Sequence, residues 1–254
     1  MECYDFYFSK NWWQFLLIAV ISYMVGCFNF ALLISRMKKN DVSKLGSGNP
    51  GAMNMIRNFG PVIGFLTFFL DAFKAGIPAI IVYHLYNKGF YGAFQGERVF
   101  SGAVFAGTAF PVGCFGAFLS GASVVFGHIY PATRHFKGGK GIASGVGLFW
   151  LMLGMANPWY WLLGLGLIIV WPFAITLTKK GSLCALCVLA GFCVWQIGAL
   201  FAAGGPGNIW VSFSVAFAFF VVALSWVAHH KNIRALLSGE EHETVIFKKK
   251  GLKK

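Results

Sequence analysis

The sequence predicts an all-α polytopic membrane protein of about seven transmembrane helices. The N-terminus is expected outside, the C-terminus cytoplasmic, and short re-entrant or interfacial helices are expected in the cytoplasmic loops. Three observations lead there. Hydrophobic residues make up 57% of the 254 positions while charged ones make up 11%; soluble domains carry about 25% charged residues, so an ordinary soluble enzyme is excluded. The apolar residues fall into seven runs, each near the roughly 20 residues that cross a bilayer as a helix. And 17 of the 21 Lys and Arg fall on one side of the alternating loops, the side the positive-inside rule assigns to the cytoplasm.

The runs are 13–35, 61–86, 99–126, 141–157, 159–177, 183–203 and 208–228. Asn157-Pro158 divides the fourth from the fifth with a turn and helix-start signal, and Gly204-Gly205-Pro206-Gly207 divides the last two. The basic side collects Arg36, Lys38, Lys39, Lys44 and Arg57 after the first run, Arg134, Lys137 and Lys140 after the third, Lys179 and Lys180 after the fifth, and the tail. Lys10, Lys88 and Arg98 fall on the other side, and Lys74 lies inside the second run. The opening MECYDFYFSK has Glu2 and Asp5 and no basic n-region, so a cleaved signal peptide is not expected. The reading is one domain over 1–254, with a basic cytoplasmic tail over about 242–254 suited to anionic headgroups.

Cys184 and Cys187 have the spacing of a metal or redox pair, but no second pair and no nearby His accompanies them, so they are expected to pack as small apolar residues. No metal or cofactor is called for. Three polar islands carry the chemistry instead, all on the basic side. The first is Gly46 to Gly60. Ser47 stands accessible between two glycines, Asn49 and Asn54 offer amides, Arg57 offers a planar fork for phosphate, and 51–58 forms a short helix starting at Pro50.

The second island is Gly127-His128-Ile129-Tyr130-Pro131 followed by Phe136 to Gly141. The glycines of Lys137-Gly138-Gly139-Lys140-Gly141 allow successive N–H groups to face one concavity. A helix N-terminus follows, and two lysines flank the turn; together these make a phosphate cradle. It is not a Walker A loop. The third island puts His229 and Asn232 on one helical face if the last run continues as helix, with Glu241 downstream. His229 suits a general base or phosphate ligand. Asp71 and Lys74, three apart inside the second run, read as a structural ion pair.

These islands resemble the PlsY family, bacterial membrane acyltransferases that use acyl phosphate. The family pattern S-G-N-P-G-A-T-N-x-x-R-x-x-G fits Ser47 through Gly60 except at Met53. G-H-x-x-P followed by F-K-G-G-K-G-x-A fits Gly127 through Ala143. H-x-x-N-I with a later G-x-E fits His229, Asn232, Ile233, Gly239 and Glu241, and L-D-x-x-K fits Leu70, Asp71 and Lys74. Met53, Ala75 and Ala235 depart from it at positions where Thr, Gly and Arg are usual.

The resemblance implies transfer of a fatty acyl group from acyl phosphate to the 1-hydroxyl of sn-glycerol 3-phosphate, the first acylation of phospholipid synthesis. It implies Ser47, Arg57, Lys140, His229 and Asn232 as catalytic residues. Asn49, Gly51, Asn54, His128, Lys137, Gly138, Gly139 and Gly141 would bind substrate or phosphate, and Asp71, Lys74 and Glu241 would be structural charges. The donor is already activated, so direct attack is the leading mechanism and an acyl-Ser47 intermediate the minor one, with the donor phosphate or His229 taking the proton. The partners implied are the two substrates and membrane lipid, with no nucleic acid and a monomer as the working unit, in the bacterial plasma membrane with the site facing the cytoplasm. A transporter for a phosphorylated anion is the alternative. Transporters place broken helices at the bilayer midplane, often in repeats, whereas here the polar groups crowd one face.

Overall fold

The computed structural model describes residues 8–86, 110–205, 207–241 and 243–246. The chain runs through α1 (Phe8–Cys27), α2 (Phe30–Met37), α3 (Ala52–Phe59), α4 (Pro61–His84), α5 (Phe110–Ile129), α6 (Ile142–Ala156), α7 (Trp159–Thr178), α8 (Gly181–Gly204), α9 (Ile209–Ala228) and α10 (His230–Leu237). Six helical stretches among the described residues are long and apolar enough to cross a membrane, and α6 is a seventh, shorter apolar helix. This is a multi-pass membrane protein.

The apolar runs and the helices agree closely after the first. Run 13–35 is broken at Phe28-Asn29: α1 stops at Cys27, and Asn29 Oδ1 accepts from Leu32 N at 2.9 Å to cap a separate α2. An asparagine that satisfies a first-turn donor starts a helix rather than continuing one. Positions 99–109 of the third run, with Lys88 and Arg98, lie outside the described residues, as do 242 and 247–254 of the basic tail. The short helix of the first loop starts at Ala52 with Gly51 as its cap, not at Pro50. Pro50 is buried in the preceding turn, and its carbonyl accepts from Asn29 Nδ2 at 3.1 Å. Gly60, at φ 90°, turns α3 directly into α4, with Pro61 in the first turn, where the missing N–H is harmless.

Two close helix pairs hold the bundle. A Cβ on Gly147 of α6 would come within 2.2 Å of the Ala72 carbonyl on α4, and one on Gly76 of α4 within 2.8 Å of the Gly147 carbonyl. The α1–α5 pair repeats the device: Gly26 faces the Val124 carbonyl and Gly127 the Tyr23 carbonyl, at 2.2 and 2.3 Å from a virtual Cβ. Small residues let backbones approach where lipid provides no hydrophobic drive between helices. Ser22 and Ser120 hydroxyls, 2.8 Å apart, tie the second pair further.

At 1.5 Å per residue α6 is only about 22 Å long, short of the roughly 30 Å hydrocarbon core. Eleven of its 15 residues are buried, so protein rather than lipid surrounds it and its polar N-terminus can sit inside the bundle. Phe118, Leu148, Phe149, Leu153 and Phe192 fill the core around it. The outward faces of α1, α7 and α9 expose Trp12, Leu16, Leu163, Val170, Phe173 and Phe219; this is the surface a bilayer covers.

Candidate active site

The three islands meet at one end of the bundle around a cavity of about 120 Å³. Ser47, Asn49, Gly51, Asn54 and Arg57 line it from the first loop and α3, His128 from the end of α5, Lys140 and Gly141 from the loop into α6, and His229 and Asn232 from the α9–α10 junction. Asp71 reaches it from α4. Lys137, Gly138 and Gly139 do not line it. Ser182, Trp171 and Thr244 also line it without any signal in the sequence, and Met53 lines it too. Lone Ser, Trp and Thr residues carry no spacing signal; Met53 was visible only as a departure from a motif.

The first loop is a scaffold built on Asn54. This side chain is 1% exposed. Its Nδ2 donates to the carbonyls of Val42 (3.1 Å) and Leu45 (2.9 Å), and its Oδ1 accepts from Ser47 N (3.2 Å) and Asn58 Nδ2 (3.0 Å). Both amide protons are used inside the loop, so Asn54, which also lines the cavity, shapes the turn that presents Ser47. Gly46 and Gly48, at φ 54° and 69°, bracket Ser47 and leave it exposed. Arg57 stands in the last turn of α3 and donates from Nη2 to Thr244 Oγ1 at 3.0 Å.

The glycine turn also differs from the expected cradle. Gly138 N donates to the Ile129 carbonyl (3.1 Å) and Gly139 N to the His128 carbonyl (2.9 Å), so these donors fold the turn back on α5 and are not available to a phosphate. A Cβ on Gly139 would lie 2.1 Å from His128 Nε2; only glycine packs over that ring. Lys137 is exposed to solvent away from the cavity. What the turn delivers is the start of α6. Gly141, at φ 79°, aims the helix so that Gly141, Ile142 and Ala143 line the cavity, and first-turn N–H groups have no partner within their own helix.

Beneath the turn lies a buried polar cluster. Lys74 Nζ is 3.0 Å from Asp71 Oδ1, 2.8 Å from His128 Nδ1 and donates to the Phe28 carbonyl at 2.8 Å. An ammonium only donates, so Nδ1 of His128 accepts and its Nε2 carries the proton. The cluster ties α4, α5 and the α1–α2 break together.

The third wall is a chain of hydrogen bonds. Lys140 Nζ donates to Asn232 Oδ1. Asn232 Nδ2 donates to Ser182 Oγ (2.9 Å), and Ser182 N donates to Glu241 Oε1 (2.9 Å). Burial, then the nearby Arg57 charge, pushes the Lys140 ammonium down to about 8 against a pull from Glu241. His229 Nδ1 lies 2.7 Å from the Ser225 carbonyl. A carbonyl can only accept, so Nδ1 is the protonated nitrogen and Nε2 keeps its lone pair. Burial and the Lys140 charge hold this imidazole down at about 4, outweighing the Ser225 bond and Glu241, so it is neutral near pH 7. The cavity therefore sets two cations and a helix start beside a neutral, oriented imidazole.

The family model for glycerol-3-phosphate acyltransferase matches residues 16–239. The chain belongs to this family. It is 31% identical to glycerol-3-phosphate acyltransferase 2 of Thermotoga maritima over 242 residues, 94% of this chain and all of that one. The glycerol-3-phosphate acyltransferase of Paraburkholderia phytofirmans is 32% identical over 230 residues, 90% of each chain. Among solved structures, the integral membrane acyltransferase PlsY in its glycerol 3-phosphate form superposes with a TM-score of 0.63 at 28% identity, covering 91% of this chain and 95% of that one. The crystal structure of PlsY in its lysophosphatidic acid form matches equally well. The PlsY-family resemblance of the islands thus extends to the whole fold.

Proposed function

We propose that this protein acylates the 1-hydroxyl of sn-glycerol 3-phosphate, taking the acyl group from acyl phosphate and releasing lysophosphatidic acid and inorganic phosphate. The observation that carries the reading is the pairing of Arg57 and Lys140 with the start of α6 around one cavity, beside His229 in its neutral state. Two phosphorylated substrates need such cationic walls, and acyl transfer to an alcohol needs a proton acceptor. Family membership supports the acceptor substrate, since the relatives are named for glycerol 3-phosphate.

In this reading Arg57 and Ser47 hold the phosphate of the acceptor, while Lys140 and the free N–H groups at the start of α6 hold the donor's phosphate and neutralise charge that develops on the leaving group. Asn49 and Asn232 orient the substrate. The 1-hydroxyl oxygen attacks the acyl carbonyl, its proton passes to His229 Nε2, the acyl–oxygen bond to phosphate breaks, and phosphate departs. The mixed anhydride is activated before it arrives, so no protein nucleophile is required. The bias of basic residues toward the loops that carry the site supports a site that faces the cytoplasm, the bacterial relatives support a bacterial plasma membrane setting, and the reading takes a monomer as the working unit. Single turnover with purified protein, acyl phosphate and glycerol 3-phosphate tests it. Phosphate release that depends on the acceptor, with no acyl-protein formed, is expected; release without the acceptor, or a ping-pong pattern, overturns it.

A further inference from the structure

Beyond residue 239, where the family match ends, the chain returns to the mouth of the cavity. Glu241 accepts from Ser182 N through Oε1 and from Lys180 Nζ through its carbonyl, at 2.9 and 3.3 Å. Thr244 N donates to the Lys179 carbonyl at 2.9 Å. Glu243 pairs with Lys179 at 3.0 Å, and Ile246 is buried in the main hydrophobic core. The segment is thus pinned across the α7–α8 turn at both ends. Its seat is specific: a Cβ on Gly181 would lie 2.7 Å from Thr244 Oγ1.

Thr244 is 2% exposed and lines the cavity. Its hydroxyl accepts from Arg57 Nη2 across 187 positions of sequence. Among the described residues Arg57 forms no salt bridge with a carboxylate. A hydroxyl partner fixes one arm of the guanidinium without cancelling its charge, and the remaining donors stay available to an anion. A carboxylate at this place would hold Arg57 equally well and compete with phosphate.

We infer that Thr244 is a positioning residue for Arg57, and that the segment Glu243–Ile246 is a strap that sets the affinity of the site for the phosphate of its acceptor substrate. The inference rests on the reading of Arg57 as a phosphate-binding residue. Thr244→Val keeps the shape and removes the hydroxyl; Thr244→Ser keeps the hydroxyl. The expected result is a KM for glycerol 3-phosphate raised about tenfold in Thr244→Val, with kcat within about twofold and a normal KM in Thr244→Ser. In the Arg57→Ala background Thr244→Val has no further effect.

Thr244→Val with an unchanged KM, while Arg57→Ala is impaired, overturns the role of Thr244 alone. A further loss in the double variant, or equal falls in kcat for Val and Ser, assigns the strap to general packing and overturns it too. Arg57→Ala with a normal KM overturns the reading of the site and the inference with it. Protection against thermal unfolding by glycerol 3-phosphate gives the same comparison without turnover: weaker in Thr244→Val, unchanged in Thr244→Ser, and a result in which both match the parent counts against the role of Thr244.

Discussion

At the scale of residues, the site is set by how few atoms in it remain free. Asn54, Gly138 and Gly139 have their donors committed to the fold, while Arg57 and Lys140 each commit one donor, to Thr244 and Asn232, and have others left. Arg57→Ala and Lys140→Ala are each expected to lower kcat/KM about a hundredfold or more in a phosphate-release assay. Lys140 also predicts a pH profile. Its folded value is lowered to about 8, so the charge is present below that pH and lost as pH rises through it. The kcat/KM for glycerol 3-phosphate should fall above about pH 8. Lys140→Arg, which stays charged, should remove this alkaline fall whatever it does to the rate. His229, held near 4, stays an acceptor throughout that range, and His229→Gln should cost about a hundredfold in kcat with little change in KM.

At the scale of elements, the glycine contacts decide how the loops are delivered. Gly147 sits against the Ala72 carbonyl, one residue from Asp71. Gly147→Ala must push α6 away from α4 at the level of the buried cluster. Overpacking of this kind costs about 1–3 kcal/mol, read as a lower Tm in detergent, with activity falling because α6 begins in the cavity wall. Gly127→Ala should do the same through α1 and α5, since its Cβ would meet the Tyr23 carbonyl. The apolar runs located these helices because burial in lipid is a property of a 20-residue window. They did not show the break at Asn29, because one side-chain cap outweighs a hydropathy average that continues across it.

For the whole molecule, the basic loops and the cavity belong to one end of the bundle. That predicts sidedness: cysteines placed at Lys38 or Lys179 in a Cys-free background should react with an impermeant thiol reagent only after the membrane is opened, and one placed in the stretch 205–208 without opening. The sequence alone determined the membrane class, the order of the helices and the residue types that gather at one end, because these follow from partition between lipid and water and from local turn chemistry. Only the tertiary structure decided which donors in that gathering remain free and which distant side chains join it. The four hydrogen bonds that Asn54 makes inside its loop are visible only in the structure, and Ser182 and Thr244 carry no local signal until α8 and the tail bring them to Asn232 and Arg57. The reason is that a hydrogen bond across 50 or 187 positions depends on where the backbone returns, and no local pattern of residues encodes that return.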